Sequence, residues 1–185
     1  LAHWAFTSWH QVSYWKNSIS IMEHANFVTR DNSVARNNLG LALAKIGKHD
    51  EAMQQFEENL RLNPLDSGAL NNIGIQLARR GELGDAQEYF HRAIQANPNN
   101  EPAHINLGIK LATTKTPKNR AEAMQHFLAA LKINPYSFLA HFQIGMLFME
   151  SDPPAAIEHF TKAVRLNSEY GKAHIMLGML YSREG

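Results

Sequence analysis

NNLGLALAKIG, beginning at Asn37, returns as NNIGIQLARRG at Asn71, INLGIKLATTK at Ile105, FQIGMLFMESD at Phe142 and IMLGMLYSREG at Ile175, at spacings of 34, 34, 37 and 33 residues. A fixed period changes the meaning of every residue inside it. A second string follows the first at a regular offset: EAMQQFEENLRLNP from Glu51, DAQEYFHRAIQANP from Asp85, EAMQHFLAALKINP from Glu122 and AAIEHFTKAVRLNS from Ala155. Two helices per period are implied.

Gly40, Gly74, Gly108, Gly145 and Gly178 sit inside apolar helical patterns, where Gly costs roughly 1 kcal/mol relative to Ala. Such a recurring cost calls for close approach: the missing side chain lets the second helix lie against the first, and Ala52, Ala86, Ala123 and Ala156 supply the matching small surface. Phe56, Phe90, Phe127 and Phe160 follow one helical turn later and fill the space between helix pairs. Asn63, Asn97 and Asn134 each precede Pro, which pushes them out of the α region and ends the second helix. Gly47 and Gly81 close first helices at their C-terminal ends.

These residues resemble the tetratricopeptide-repeat (TPR) family, whose pattern sets a large residue, Leu, Gly and Tyr on a first helix, then Ala, Phe, Ala and Pro on and after a second. The resemblance implies an all-α, right-handed superhelical solenoid of antiparallel helix pairs. Residues 33–66 and 67–100 fit without a gap; 101–137 carry a three-residue insertion between Thr113 and Arg120; 138–170 are one residue short near Asp152 and have Ser168 in place of Pro. Residues 171–185 match a first helix only, and helix 172–183 is expected to leave a partner face including Ile175 and Leu180 bare. That face is a candidate for self-association through the C-terminal end, unless the native protein continues.

Ahead of the repeats, residues 1–32 form an aromatic-rich segment with a capping helix expected over Trp15 to Thr29. Trp4, Trp9 and Trp15, with Phe6 and Tyr14, fall within its first fifteen residues. They read either as a cap burying aromatics on the first repeat or as a membrane-interface belt. The run from Gln11 to Gly40 resembles the junction of bacterial polytopic membrane proteins, some glycosyltransferase-like, where a last transmembrane segment meets an extracytoplasmic TPR tail. This favours membrane attachment upstream of Leu1 and the extracytoplasmic face over the cytoplasm. The first residue, Leu1 rather than Met, points to a chain cut from a longer one.

With 18 Lys plus Arg against 17 Asp plus Glu, the formal charge is +1, which offers no field to gather nucleic acid. The absence of Cys excludes a disulfide scaffold and leaves the redox compartment open.

In the family register the first helices line the concave surface. The residue before each Leu-Gly pair or its equivalent is Asn38, Asn72, Asn106, Gln143 and Met176, four of them amides. A row of amides can hold the main chain of an extended peptide, since each has donor and acceptor; it resembles the asparagine ladder of O-linked GlcNAc transferases. Asn is also the commonest residue at that position in TPR units, so ladder and plain repeat signature both fit. Other inward positions, Asn37, Lys45, Asn71, Gln76 and Arg79, make the first two repeats polar, whereas Ile105, Ile109, Phe142, Met146, Met149, Ile175 and Met179 make the later ones apolar. Some of these apolar side chains serve equally well as helix packing. A chaperone-tail receptor is not indicated: at the matching positions Asn37, Leu41, Asn72, Pro102 and Asn106, only Asn72 fits that pattern.

His104, His141 and His174 recur at one repeat position. First helices about 8–10 Å apart cannot bring them to one ion, where zinc ligands converge to about 2.0–2.1 Å. Packing within each repeat is expected instead, and no metal or cofactor. No GxSxG, HExxH or P-loop pattern occurs. The expected role is a scaffold binding a peptide or partner protein in its groove, not an enzyme within this fragment. The alternatives are an accessory tail of a membrane-bound glycosyltransferase-like enzyme and a homo-oligomerising module.

Overall fold

A computed structural model describes residues 33–114 and 116–184, and within them every regular element is a helix. The aromatic segment and the capping helix expected before Ser33 lie outside the described residues. The chain divides into two compact units, Leu1–Ala96 and Asn97–Gly185. The first contains α1 (Ser33–Lys45), α2 (His49–Leu62), α3 (Ser67–Arg80) and α4 (Leu83–Ala96). The second contains α5 (Glu101–Ala112), α6 (Pro117–Ile133), α7 (Phe138–Phe148), α8 (Pro153–Leu166) and α9 (Gly171–Glu184).

The helix ends follow the residues that punctuate the period. Gly47 and Gly81, both at φ 84°, stand just beyond α1 and α3 in the left-handed region that Gly enters without steric cost. Asn63 and Asn134 leave helical geometry after α2 and α6, with φ −133° at each. Asn167 does the same after α8 with Ser168 behind it, so the missing Pro does not move that boundary. The insertion is absorbed into a helix: α6 has 17 residues against 14 in α2, α4 and α8, with Thr116 as N-cap and Pro117 in its first turn. Pro is favourable there because its missing N–H is an orphan in any case.

Within each unit the glycines and phenylalanines meet. A Cβ at Gly74, Gly108 or Gly145 would lie 2.6, 2.5 or 2.7 Å from Cε1 of Phe90, Phe127 or Phe160, and Gly40 faces Phe56 in the same way. The rings and the alanines one turn before them are almost fully buried. Each close approach therefore returns the burial of a whole aromatic side chain for the lost helix propensity of one Gly.

Leu180 departs from expectation. It is 2% exposed and packs with Phe142, Phe160, Ala163 and Ala173, because Ala173, Leu177 and Leu180 turn one side of α9 back onto α8. Ile175 at 60% and Met179 at 42% exposure lie on another side, where Gly178 has open space at its Cβ position. Among the described residues no helix is long and apolar enough to cross a membrane.

One polar knot joins the first two pairs. Asp66 caps α3 by accepting from Ala69 N at 2.9 Å, and its other oxygen accepts from Nδ2 of the fully buried Asn59 at 3.1 Å. The Ser33 hydroxyl lies 2.6 Å from Asn59 Oδ1 and 2.7 Å from Asp66 Oδ2, and its one hydrogen serves one of them at a time. Asp66→Ala is expected to cost about 1–2 kcal/mol, the upper range for a lost cap. A urea midpoint indistinguishable from that of the parent chain would show that the knot contributes nothing.

Candidate functional site

The expected inward residues separate into three physical groups. In the first unit, Asn37 on α1 and Asn72 on α3 are joined directly: Asn72 Nδ2 donates to Asn37 Oδ1 at 2.8 Å. Asn71, Asn72 and Gln76 are only 5%, 7% and 5% exposed, and the buried Gln76 Oε1 has no hydrogen-bond partner among the described residues. Asn38 is exposed. Arg79 is exposed and places Nη2 2.7 Å from His49 Nε2. Asn71, Asn72 and Gln76 are thus buried positions of this unit, and Asn38 and Arg79 are exposed ones.

In the second unit the apolar positions divide. Ile105 and Phe142 belong to the core: Phe142 is 7% exposed, with its ring 5.4 Å from Phe160 and 5.1 Å from Tyr170. This corrects the expectation that Phe142 lines a groove. It lies on the side of α7 turned to α8 and α9, and supports the groove wall from behind. Ile109, Met146 and Met149 instead line an open groove of about 580 Å³ between α5 and α7, completed by Ala112 and Leu147. Gln143 brings an amide into it, and Thr113, Arg120 and Glu150 form a polar margin. Met146 offers 41% of its surface, whereas Asn106 and Gln143 are half-buried. Met179, the remaining expected residue, is exposed on α9 and is not among the groove residues.

Arg120, like Ala112, Thr113, Leu147 and Glu150, is a groove residue that sequence reasoning missed. Arg120 follows the three added residues Pro117 to Asn119 and holds the register position at which His49 and Leu83 begin α2 and α4; its Nη2 donates to Ser151 Oγ at 3.2 Å. The signal was its place three residues before Ala123, where the second helix starts in the other repeats. The recurring histidines each find a partner near their own repeat: His104 pairs with His126, His141 with His159, and His174 Nε2 lies 2.8 Å from the Ser168 carbonyl oxygen. Among the described residues no three His, Asp or Glu side chains converge as a metal site.

These features define an array of antiparallel helix pairs built on a Gly–Phe contact. The family model described as "Psidin, N-terminal TPR repeats region" matches residues 14–155, most of the chain, which therefore belongs to this family of TPR proteins. It is an all-α TPR solenoid, a protein-interaction scaffold by class. Solved structures agree on the fold. YrrB, described as a TPR protein with an unusual peptide-binding site, aligns with TM-score 0.62 at 18% identity, over 88% of this chain and 83% of that one. The thermophilic TPR protein TTC0263 of Thermus thermophilus aligns with TM-score 0.70 at 20% identity, over 83% of each chain. The Cut9–Hcn1 hetero-tetramer of the APC/C gives TM-score 0.79 at 19% identity, over 92% of this chain and 34% of that one. No curated protein matches the chain.

Proposed function

We propose that this protein binds a segment of another polypeptide on its first-helix surface, with the groove between α5 and α7 as the principal contact. The observation that carries the reading is the pairing of exposed Met146 with the Gln143 amide in one open groove. Thioether and aliphatic side chains adapt to apolar side chains of varied shape. An amide beside them can both donate to and accept from a peptide main chain. The 18%-identical YrrB supports the reading only in that the same fold carries a peptide-binding site there.

Met146→Asp places a charge where an apolar side chain is to dock. It is expected to lower affinity for a partner captured by the intact protein by at least about tenfold, ~1.4 kcal/mol, with an unchanged helical circular-dichroism spectrum. The exposed position Gln125 on α6, changed to Asp, is the matched control. Equal affinity for both variants and the parent would refute the groove.

The amide ladder is a second contribution. Asn106→Ala, in the same unit as the groove, is expected to weaken the same complex by about 0.5–1.5 kcal/mol, the net range for one hydrogen bond. Unaltered affinity in that variant would remove the amide contribution and leave the apolar groove standing.

A further inference from the structure

His141 on α7 and His159 on α8 face each other through their Nδ1 atoms at 3.1 Å, and His104 on α5 and His126 on α6 do the same at 3.0 Å. Ring centroids are 5.3 Å apart in both pairs, close to the N–N distance plus two ring radii. The in-plane lone-pair axes therefore run along the line between the nitrogens, as in an N–H···N hydrogen bond. Two ligands of one metal ion would aim at a point off that line, about 2.0–2.1 Å from each. The tautomers follow. His104 Nε2 and His174 Nε2 lie 3.1 and 2.8 Å from the carbonyl oxygens of Pro98 and Ser168, each six residues upstream, and the Pro135 carbonyl stands at the same offset from His141, where it favours a proton on that ring. Nε2 of each first-helix ring thus carries a hydrogen and its Nδ1 is bare. The shared hydrogen belongs to the second-helix histidine.

We infer that the His141–His159 pair is a pH-sensitive latch between α7 and α8 that stays closed with one added proton and opens with the second. The first proton binds His159 Nε2, across the ring from the shared bond. That bond persists and becomes charge-assisted. The second proton can bind only His141 Nδ1. It sets two N–H groups and two positive charges head to head across 3.1 Å, so the rings must separate. Phe142 and Gln143 follow His141 on the same helix, which couples the opening to the core and to the groove wall.

The surroundings agree with this geometry. Burial first, then the Lys162 ammonium, pushes His141 below the usual imidazole range, against the opposing pull of the Pro135 carbonyl and Glu158. Burial, then His141 and Lys162, does the same to His159, with Glu158 again opposing. Lys162 and Glu158, the charged groups that act on both rings, lie on α8. Both folded values are depressed, so the unfolded chain takes up protons first. The stabilisation is complete above the unfolded value of about 6.5 and is lost as pH falls through the folded ones.

The test is a ¹⁵N-imidazole NMR titration of the intact chain from about pH 8 to about pH 4.5, spanning the imidazole range. His141 and His159 are expected to titrate in two linked steps, with α7 amide signals moving in the lower step. In His159→Gln the remaining ring is expected to titrate in one step. If that variant does not fold, His141→Gln is read at His159. A His141 curve unchanged by loss of its partner, or α7 amides moving with the upper step, overturns the latch. The outcome does not depend on whether the groove binds a peptide.

Discussion

Phe127→Ala is expected to lower the unfolding free energy by about 3–5 kcal/mol. Phe127 is fully buried, and its ring edge rests on the backbone of α5 at Gly108, the position that a side chain would otherwise hold. Truncation removes the transfer energy of the ring and leaves a gap between two helices already in close contact through small side chains such as Ala123, which is fully buried. Little collapse is possible there, so the cost falls toward the upper end. Chemical denaturation followed by circular dichroism gives the number. A loss under about 1 kcal/mol would mean that the ring is not what joins α5 to α6.

The second large effect is a change of sign. At Gly145, an added Cβ would lie 2.7 and 2.8 Å from two carbons of the Phe160 ring, which is itself fully buried and cannot swing away. Gly145→Ala should therefore destabilise by about 1–3 kcal/mol, the cost of overpacking. This outweighs the roughly 0.5–1 kcal/mol that a helix gains when Ala replaces Gly. At Gly178 nothing lies within 4 Å of the same position, and only the propensity gain remains. Gly178→Ala should stabilise by about 0.5–1 kcal/mol. Phe160→Leu, which draws back the obstructing ring edge, should recover part of the Gly145→Ala loss. Equal effects at both glycines would contradict the Gly–Phe contact as the unit of the repeat.

That contact is also why so much of the fold was legible in the sequence. Gly, Ala and Phe are constrained by one another across a helix pair, so Gly74, Ala86 and Phe90 announce their packing by recurring together. The helix ends were legible for a similar reason, since Gly81 and Asn134 act on their own backbone. The groove was less so. Inward register does not separate a residue facing open space from one turned to the next helix. Phe142 and Met146 are one turn apart on α7, yet Phe142 is core and Met146 is surface. Arg120 escaped notice because it lies on a second helix, at the register position of His49, whereas the inward positions were sought on first helices. The histidine pairs escaped because their partners recur on different strings of the period, His141 on the first helix and His159 on the second.

The central claim, that the α5–α7 groove receives another polypeptide, is tested most directly by photo-crosslinking in the intact protein. A photoreactive phenylalanine analogue is placed at position 146, inside the groove, or at position 125, exposed on α6 outside it. Irradiation in extracts of the native host is expected to give a discrete polypeptide adduct from position 146 that competes away with excess unlabelled parent protein, and no such adduct from position 125. Adducts of equal yield at the two positions, or at 125 alone, would contradict it.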